Sequence, residues 1–273
     1  MTNSAIVFSC YESIPGDVVE LKRILFEVSE HVATITINRP ERLNATDDLT
    51  RTELGHAWAR VRDDPNIRVA IITGAGDRAF SAGQDIRATA EGGIRNKIPG
   101  SRLHHDVWKP VICALNGMAV GGALHQVADS DLIIAAEHAE LIDTHLAVGN
   151  VFALEPAVLL RRMPLSMVMQ LGLLTKQGRI SAQRGYEIGL INEVVPADRL
   201  QQRAREIALD IAKLSPATVQ ASIKAMWASL DVGLRAANDV AYRYVLQHQL
   251  THPDYREGML AFAEKREPRW VVE

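Results

Sequence analysis

Four side chains near the middle of the chain carry acid–base chemistry: His125, Asp143, His145 and Glu155. An imidazole takes and gives protons close to neutrality, its ordinary pKa being about 6.5. His125 stands in "GGALHQVADSD", three residues after Gly122, where a helix is expected to open. The positive end of that helix favours a neutral imidazole, which is a base. Asp143 and His145 are two residues apart, so in an extended segment their side chains share a face. There the aspartate would orient the imidazole and stabilise its charged form; a plain rim position for Asp143 is the alternative. Glu155 precedes Pro156 and either caps a helix or supplies a working carboxylate. Proton transfer is the chemistry these residues suggest, and no metal site is expected. The nine histidines include no HExxH pair, and His125, Asp143 and His145 form only a loose ligand set. His104 and His105 follow the Gly-rich, charged stretch "ATAEGGIRNKIPG", expected to be a mobile loop, and are expected at the surface.

The elements that must position these groups read as an alternation. "LFEVSEHVATITINRP" holds two strand-like pieces, the second alternating and β-branched until Pro40. "NATDDLTRTELGHAWARVRDD" follows as a helix, with Thr46 in the N-cap region and Leu49, Leu54, Ala57, Trp58 and Val61 at helical spacing. "IRVAIITG", "VICALNG" and "LIIAA" are short and wholly apolar, as strands buried on both faces of a parallel sheet are. "GAGDRAFSAGQDI" reads as a loop leading into a helix, "SRLHHDVWKP" as a helix ended by Pro110. Three strand–helix alternations with short links predict an α/β core. Beyond Glu155 the pattern turns helical, with two pieces divided by Pro164, a brief strand "INEVVP" and four further helices. Their apolar positions need cover from the core or from another subunit.

Composition excludes several classes of function. Net charge is −3 and basic residues are scattered, so no nucleic-acid surface is expected. No apolar run approaches the ~20 residues of a membrane span, and the first residues lack the basic start of a signal peptide. With two cysteines, Cys10 and Cys113, no disulfide scaffold is expected, and Cys113 inside "VICAL" reads as a buried hydrophobe. A cytoplasmic location is expected. "GAGDRAFSAG" lacks both the Lys-Ser/Thr of a phosphate loop and GxGxxG spacing.

Five segments in order resemble the crotonase, or enoyl-CoA hydratase/isomerase, superfamily: "INRPERLNA", "IITGAGDRAFSAGQDI", "KPVICALNGMAVGGALHQVADSDLIIAAEHAEL", "GRISAQRGYEIGLINEVVP" and "AFAEKREP". The resemblance runs from about Leu25 to the end. It implies a crotonase-like ββα spiral followed by a helical oligomerisation region, with an extension over 1–24, a core over 25–205 and a helical part over 206–273. It implies a homotrimer or dimer of trimers, an acyl-CoA thioester as substrate, and no cofactor beyond the coenzyme A that the substrate carries. The positions matching the family's oxyanion hole are the backbone N–H groups of Gln84 and Gly122, which would hold the thioester oxygen as it becomes an enolate. Gln84 replaces the usual small residue, and its amide faces solvent or narrows the pocket. Arg42, Ala82, Asp85, Ile86 and Lys265 match CoA-binding positions, Arg42 and Lys265 being equally readable as surface charges.

The chain departs from the family at the catalytic pair. Hydratases of this family use two glutamates, and His125 and His145 stand at those two places. The glycine-rich run that follows is replaced by "GNVFALEP". The leading expectation is therefore an acyl-CoA enzyme of the hydratase/isomerase type with atypical histidine acid–base groups. One alternative is retro-Claisen hydrolysis of a β-diketone or cyclic β-keto thioester, with neutral His145 activating water. A second is an inactive subunit that keeps the scaffold for assembly. Asp129 and Asp131 read as structural.

Overall fold

The computed structural model describes residues 21–88 and 100–271. The stretch expected as a mobile loop, apart from its end residues Ala88 and Gly100, and the 1–20 part of the extension lie outside the described residues.

The chain enters through a hairpin. β1 (Ile24–Ser29) pairs antiparallel with β2 (Val32–Ile37), Ser29 opposite Val32. The two-residue turn puts Glu30 and His31 both at positive φ (51° and 66°), the mirror-image turn that matches strand twist. Nδ1 of His31 lies 2.8 Å from the carbonyl of Asn66, tying the turn to the body. From β2 onward the large sheet is parallel, in the order β1-β2-β3-β5-β7-β10, with β3 (Val69–Gly74), β5 (Val111–Leu115), β7 (Leu132–Ala136) and β10 (Glu193–Val195). Every residue of β3 and β5 is buried, as their unbroken apolar sequences require.

A second sheet runs beside the first: β4 (Ala79–Ser81), β6 (Met118–Val120), β8 (Glu140–Ile142) and β9 (Ile180–Ser181). β4, β6 and β8 each follow at once a strand of the large sheet, so the chain steps from one sheet to the other and then into a helix. That is the ββα spiral. The segment expected as a plain loop thus contains β4, because "AFS" is apolar enough to be buried whole.

α1 (Asp48–Asp63) is capped by Asp47, whose Oδ1 accepts the Thr50 N–H at 2.8 Å. The cap is Asp47 rather than Thr46, whose own N–H is bound to the Gly83 carbonyl. Leu54, Ala57, Trp58 and Val61 are buried as expected; Leu49 is exposed, since it sits off that stripe. The expected helix at "SRLHHDVWKP" shrinks to a 3₁₀ turn over Arg102–His105, because Asp106 takes a left-handed conformation (φ 55°). Arg102 is fully buried and serves as a structural pin: Nε donates to the Asp129 carbonyl at 2.6 Å, Nη1 to the Val107 carbonyl at 3.0 Å, and Nη2 pairs with Asp131.

The site-bearing helices are short: α2 (Leu124–Asp129) and α3 (Leu154–Leu159). Arg102 and Arg162 both donate to carbonyls at the end of α2, Arg162 at 2.7 Å from Ala128 O. Two cations at a helix C-terminus oppose its negative end and fix the helix that carries His125. α4 (Leu165–Leu173) begins directly after Pro164, and α5 (Ala182–Glu187) is capped by Ser181. α6 (Leu200–Ala212) buries Leu200, Ala204, Ala208 and Ala212 and packs on β3, β5 and β7. The 205/206 boundary falls inside it. α7 (Pro216–Ser229), α8 (Leu234–Thr251) and α9 (Pro253–Glu264) follow, and α8 buries none of its residues. Phe262, 88% exposed, and Leu234, 80% exposed, belong to the apolar surface these helices leave. No helix among the described residues is long and apolar enough to cross a membrane.

Candidate active site

A cavity of about 380 Å³ opens between α1, α2 and α3, lined among others by Gln84, Gly122, His125, His145 and Glu155. Four of the residues singled out for chemistry thus reach one wall or its backing. His125, on α2, places Nε2 3.2 Å from Oε1 of Glu155 at the start of α3. His145 places Nε2 3.6 Å from the same oxygen. Asp143, wholly buried behind His145, holds Nδ1 at 2.6 Å through Oδ2. One carboxylate oxygen therefore serves two imidazoles, and a second carboxylate backs one of them.

The Asp143–His145 pairing arises by a different route from the extended segment expected. β8 ends at Ile142, and His145 has helical dihedrals (φ −55°, ψ −52°) as it opens a 3₁₀ turn. Asp143 accepts the His145 backbone N–H at 3.0 Å through Oδ1 while its other oxygen takes the ring nitrogen. This is an Asx turn, the local bonding that short acidic side chains favour. Phe152 stacks against the other side of the ring, centroids 5.8 Å apart.

The two groups are shifted in opposite directions. The hydrogen bond that His145 donates to Asp143 raises the His145 pKa; burial opposes it and the charges of Glu155 and Asp143 reinforce it. Burial disfavours the Glu155 anion, but the hydrogen bond from His125, with the charges of His125 and His145, outweighs it and holds the carboxyl below its ordinary value. Both shifts favour the charged pair, imidazolium and carboxylate.

Gln84 and Gly122 line the same cavity. Gly83 brings their loops together: it has φ of 79°, and a Cβ on it would lie 2.3 Å from the Val120 carbonyl oxygen and 3.4 Å from the Gly122 nitrogen. Only glycine allows that approach. A bridge between Thr46 and Gln84 fixes the other side of the Gln84 loop.

The expected CoA positions divide into two groups. Ala82 donates its N–H to Leu43 O beside Arg42, and Asp85 pairs with Arg39 at 3.2 Å, so Arg42, Ala82 and Asp85 share one rim with the exposed Ile86. Lys265 lies apart at the C-cap of α9, in a left-handed conformation. His104 is exposed, as expected, whereas His105 corrects the surface placement. His105 is buried against Gly55, and burial with nearby His104, Arg62 and His56 pushes its pKa down to about 4. His104 sets its ring edge-on to His125, centroids 5.6 Å apart, and hydrogen-bonds Ser101 at 2.7 Å. Asp129 and Asp131 are structural, as expected, held in the Ser101 and Arg102 networks. Among the described residues, no group of three or more His, Cys, Asp or Glu is arranged to hold a metal ion. Cavity residues the sequence did not single out include Arg51, Gln126 and Asn150.

With this geometry in view, the comparison with known proteins is decisive for the family: the model for enoyl-CoA hydratase/isomerase matches residues 27–272. The chain belongs to the enoyl-CoA hydratase/isomerase family. It is 37% identical over 254 residues to the (E)-benzylidenesuccinyl-CoA hydratase of Thauera aromatica, covering 90% of this chain and 97% of that one. It is also 37% identical over 254 residues to the carnitinyl-CoA dehydratase of Proteus mirabilis, covering 88% and 94%. A crystal structure of an enoyl-CoA hydratase/isomerase from Mycobacterium paratuberculosis superposes with a TM-score of 0.87 at 34% identity, covering 93% of this chain and all of that one. The protein is thus an acyl-CoA enzyme of the enoyl-CoA hydratase/isomerase family, and the crotonase fold expected from the sequence is the fold it has.

Proposed function

We propose that this enzyme adds water reversibly across the double bond of a 2-enoyl-CoA, with Glu155 as base and His145 as acid. The observation that carries this reading is the single Glu155 oxygen shared by His125 and His145 in the cavity that Gln84 and Gly122 also line. In the forward direction ionised Glu155 takes a proton from water as its oxygen bonds to C3 of the enoyl chain. The electron pair of the double bond moves toward the thioester carbonyl, whose oxygen is held by the Gln84 and Gly122 N–H groups. His145 then delivers its Nε2 proton to C2, closing a 3-hydroxyacyl thioester. Water and protons balance the step, and coenzyme A enters only as part of the substrate. His125 touches the base and orients it. Hydratase and dehydratase names among the relatives agree with a reaction that runs both ways.

Retro-Claisen hydrolysis requires neutral His145 to activate water. Asp143 and Glu155 instead favour its charged form, which is an acid. In this proposal Arg42, Ala82, Asp85 and Ile86 form the CoA rim, Lys265 reaches CoA from the C-terminal helices, and the apolar face of α8 and α9 is covered in a trimer or dimer of trimers. Light scattering at micromolar protein checks the assembly, and a stable monomer would refute it.

Crotonyl-CoA incubated in heavy-oxygen water tests the reaction. Mass spectrometry should show one labelled oxygen on an intact acyl chain, and in deuterium oxide one deuteron at C2. Cleaved acyl fragments, or no turnover of any enoyl thioester, would overturn the reading.

A further inference from the structure

Arg51, half-buried, stands out from the other arginines that reach into the protein body. Arg39 donates to Ala45 O and pairs with Asp47 and Asp85; Arg102 and Arg162 each satisfy several carbonyls or carboxylates. Arg51 rises from the second turn of α1 into the wall of the catalytic cavity. Its Nε is buried with no hydrogen-bond partner, and no ion pair engages its guanidinium among the described residues. The nearby Asp47 is already committed to Arg39 at 3.3 Å, to Arg23 at 3.6 Å and to the cap of α1. Burial works against the charge of Arg51 more strongly than Asp48 and Asp47 support it. A partly desolvated guanidinium without a partner is unfavourable unless a ligand completes it. A carboxylate is the matching ligand, accepting two parallel N–H bonds from the planar fork. Gln126, on the α2 wall, donates Nε2 to Gly100 O at 2.6 Å and leaves its buried Oε1 without a donor, so the same cavity also has an acceptor to spare.

We infer that Arg51 receives a carboxylate borne by the acyl chain, so that the substrate is the CoA thioester of an unsaturated dicarboxylic acid. The inference rests on the hydratase reading and names its substrate class. An arginine here would serve a neutral acyl chain poorly and would repel a cationic one.

Charge-matched thioesters test this. Crotonyl-CoA is the neutral reference, glutaconyl-CoA and 2-carboxymethylcrotonyl-CoA carry a carboxylate at the chain end or on a branch, and 4-trimethylammoniocrotonyl-CoA carries a cation. In the wild-type enzyme, kcat/KM for at least one carboxylate ester should exceed that for crotonyl-CoA by roughly 10- to 100-fold, the range set by a charge-assisted hydrogen bond. The cationic ester should be the poorest. In Arg51→Met the ratio of carboxylate to neutral ester should fall to near one, with Arg51→Lys restoring part of it; thermal melts show that each variant is folded. Equal use of all esters by the wild type, or a preference that survives Arg51→Met, would overturn the inference and leave the hydratase reading in place. Failure to hydrate any of the four esters would instead refute the hydratase reading.

Discussion

Asp143→Asn tests the acid role proposed for His145. The amide is isosteric, and its oxygen can still accept the His145 backbone N–H that Asp143 Oδ1 takes at 3.0 Å. The turn therefore survives. Its NH₂ then faces His145 Nδ1, which lies 2.6 Å from Oδ2 in the native enzyme. Two donors cannot face each other at that distance, so the ring must present a lone pair at Nδ1 and becomes neutral. A hydrogen bond to a charged group contributes about 1.5–3 kcal/mol, and the Asp143–His145 bond is short and shielded from water. Turnover near neutral pH should fall by roughly 10- to 100-fold without it, while KM for crotonyl-CoA changes little, because Asp143 lies behind the histidine. The pH profile carries the sign. Asp143 raises the His145 pKa, so the native alkaline limb should lie above the ordinary histidine range. Removing the carboxylate should move that limb to lower pH. The same linkage gives the native fold a stabilisation that is present below the unfolded histidine pKa and lost as pH rises through the folded one; the variant should lack it. Stopped-flow hydration of crotonyl-CoA across pH is the assay. An unmoved alkaline limb, in a variant that folds normally, would refute His145 as the acid.

Three further outcomes are expected. Glu155→Gln should lower turnover by roughly 10²- to 10⁴-fold, as loss of a general base does; near-native rates would remove Glu155 from the mechanism. His105 has a folded pKa of about 4 against an ordinary value of 6.5, so its stabilising contribution is complete above the ordinary value and is lost as pH falls toward 4. The shift corresponds to about 3 kcal/mol, and urea titrations at several pH values should show a shallower acid loss in His105→Gln. Gly83→Ala forces a Cβ to 2.3 Å from Val120 O at φ 79°, which should destabilise by about 1–3 kcal/mol and, if the Gln84 and Gly122 N–H groups hold the thioester oxygen as proposed, cost roughly 10²-fold in turnover as their loops part. Melting curves and crotonyl-CoA kinetics check both effects.

The strands were legible because burial on both faces demands unbroken apolar runs, and "VAIITG" and "VICAL" have them. The Glu30-His31 turn was not, since neither residue is typical of positive φ; it is fixed by the register of the hairpin and the His31–Asn66 bond. The nearness of Asp143 and His145 was readable from spacing, but not its geometry, which a local side-chain bond decides. That Glu155 meets His125 could not be read at all: the two are thirty residues apart and meet only because α2 and α3 pack together. Arg51 did leave a signal. It precedes Leu54 by three, Trp58 by seven and Val61 by ten, so it falls on the apolar stripe of α1 where a charge is out of place. The exposed Leu49 lies off that stripe. A charge on a buried face was the mark of a cavity.

The replacement of two expected glutamates by histidines looks at first like a loss of function, because it removes both carboxylates at the positions that resemblance singles out. The structure gives a different balance. Two carboxylates in one site must be pushed apart in pKa so that one stays protonated and the other ionised. In the proposed mechanism that separation is built from unlike groups. Asp143 raises His145, and the two imidazoles lower Glu155, so each partner stabilises the protonation state the other's role requires. Glu155 enters from α3 rather than from either expected position, and His125 supplies its hydrogen bond. His125 therefore need not transfer a proton for the site to act. His125→Gln, which retains a donor toward Glu155, should leave far more activity than His125→Leu. Equal loss in both would show that His125 itself moves a proton.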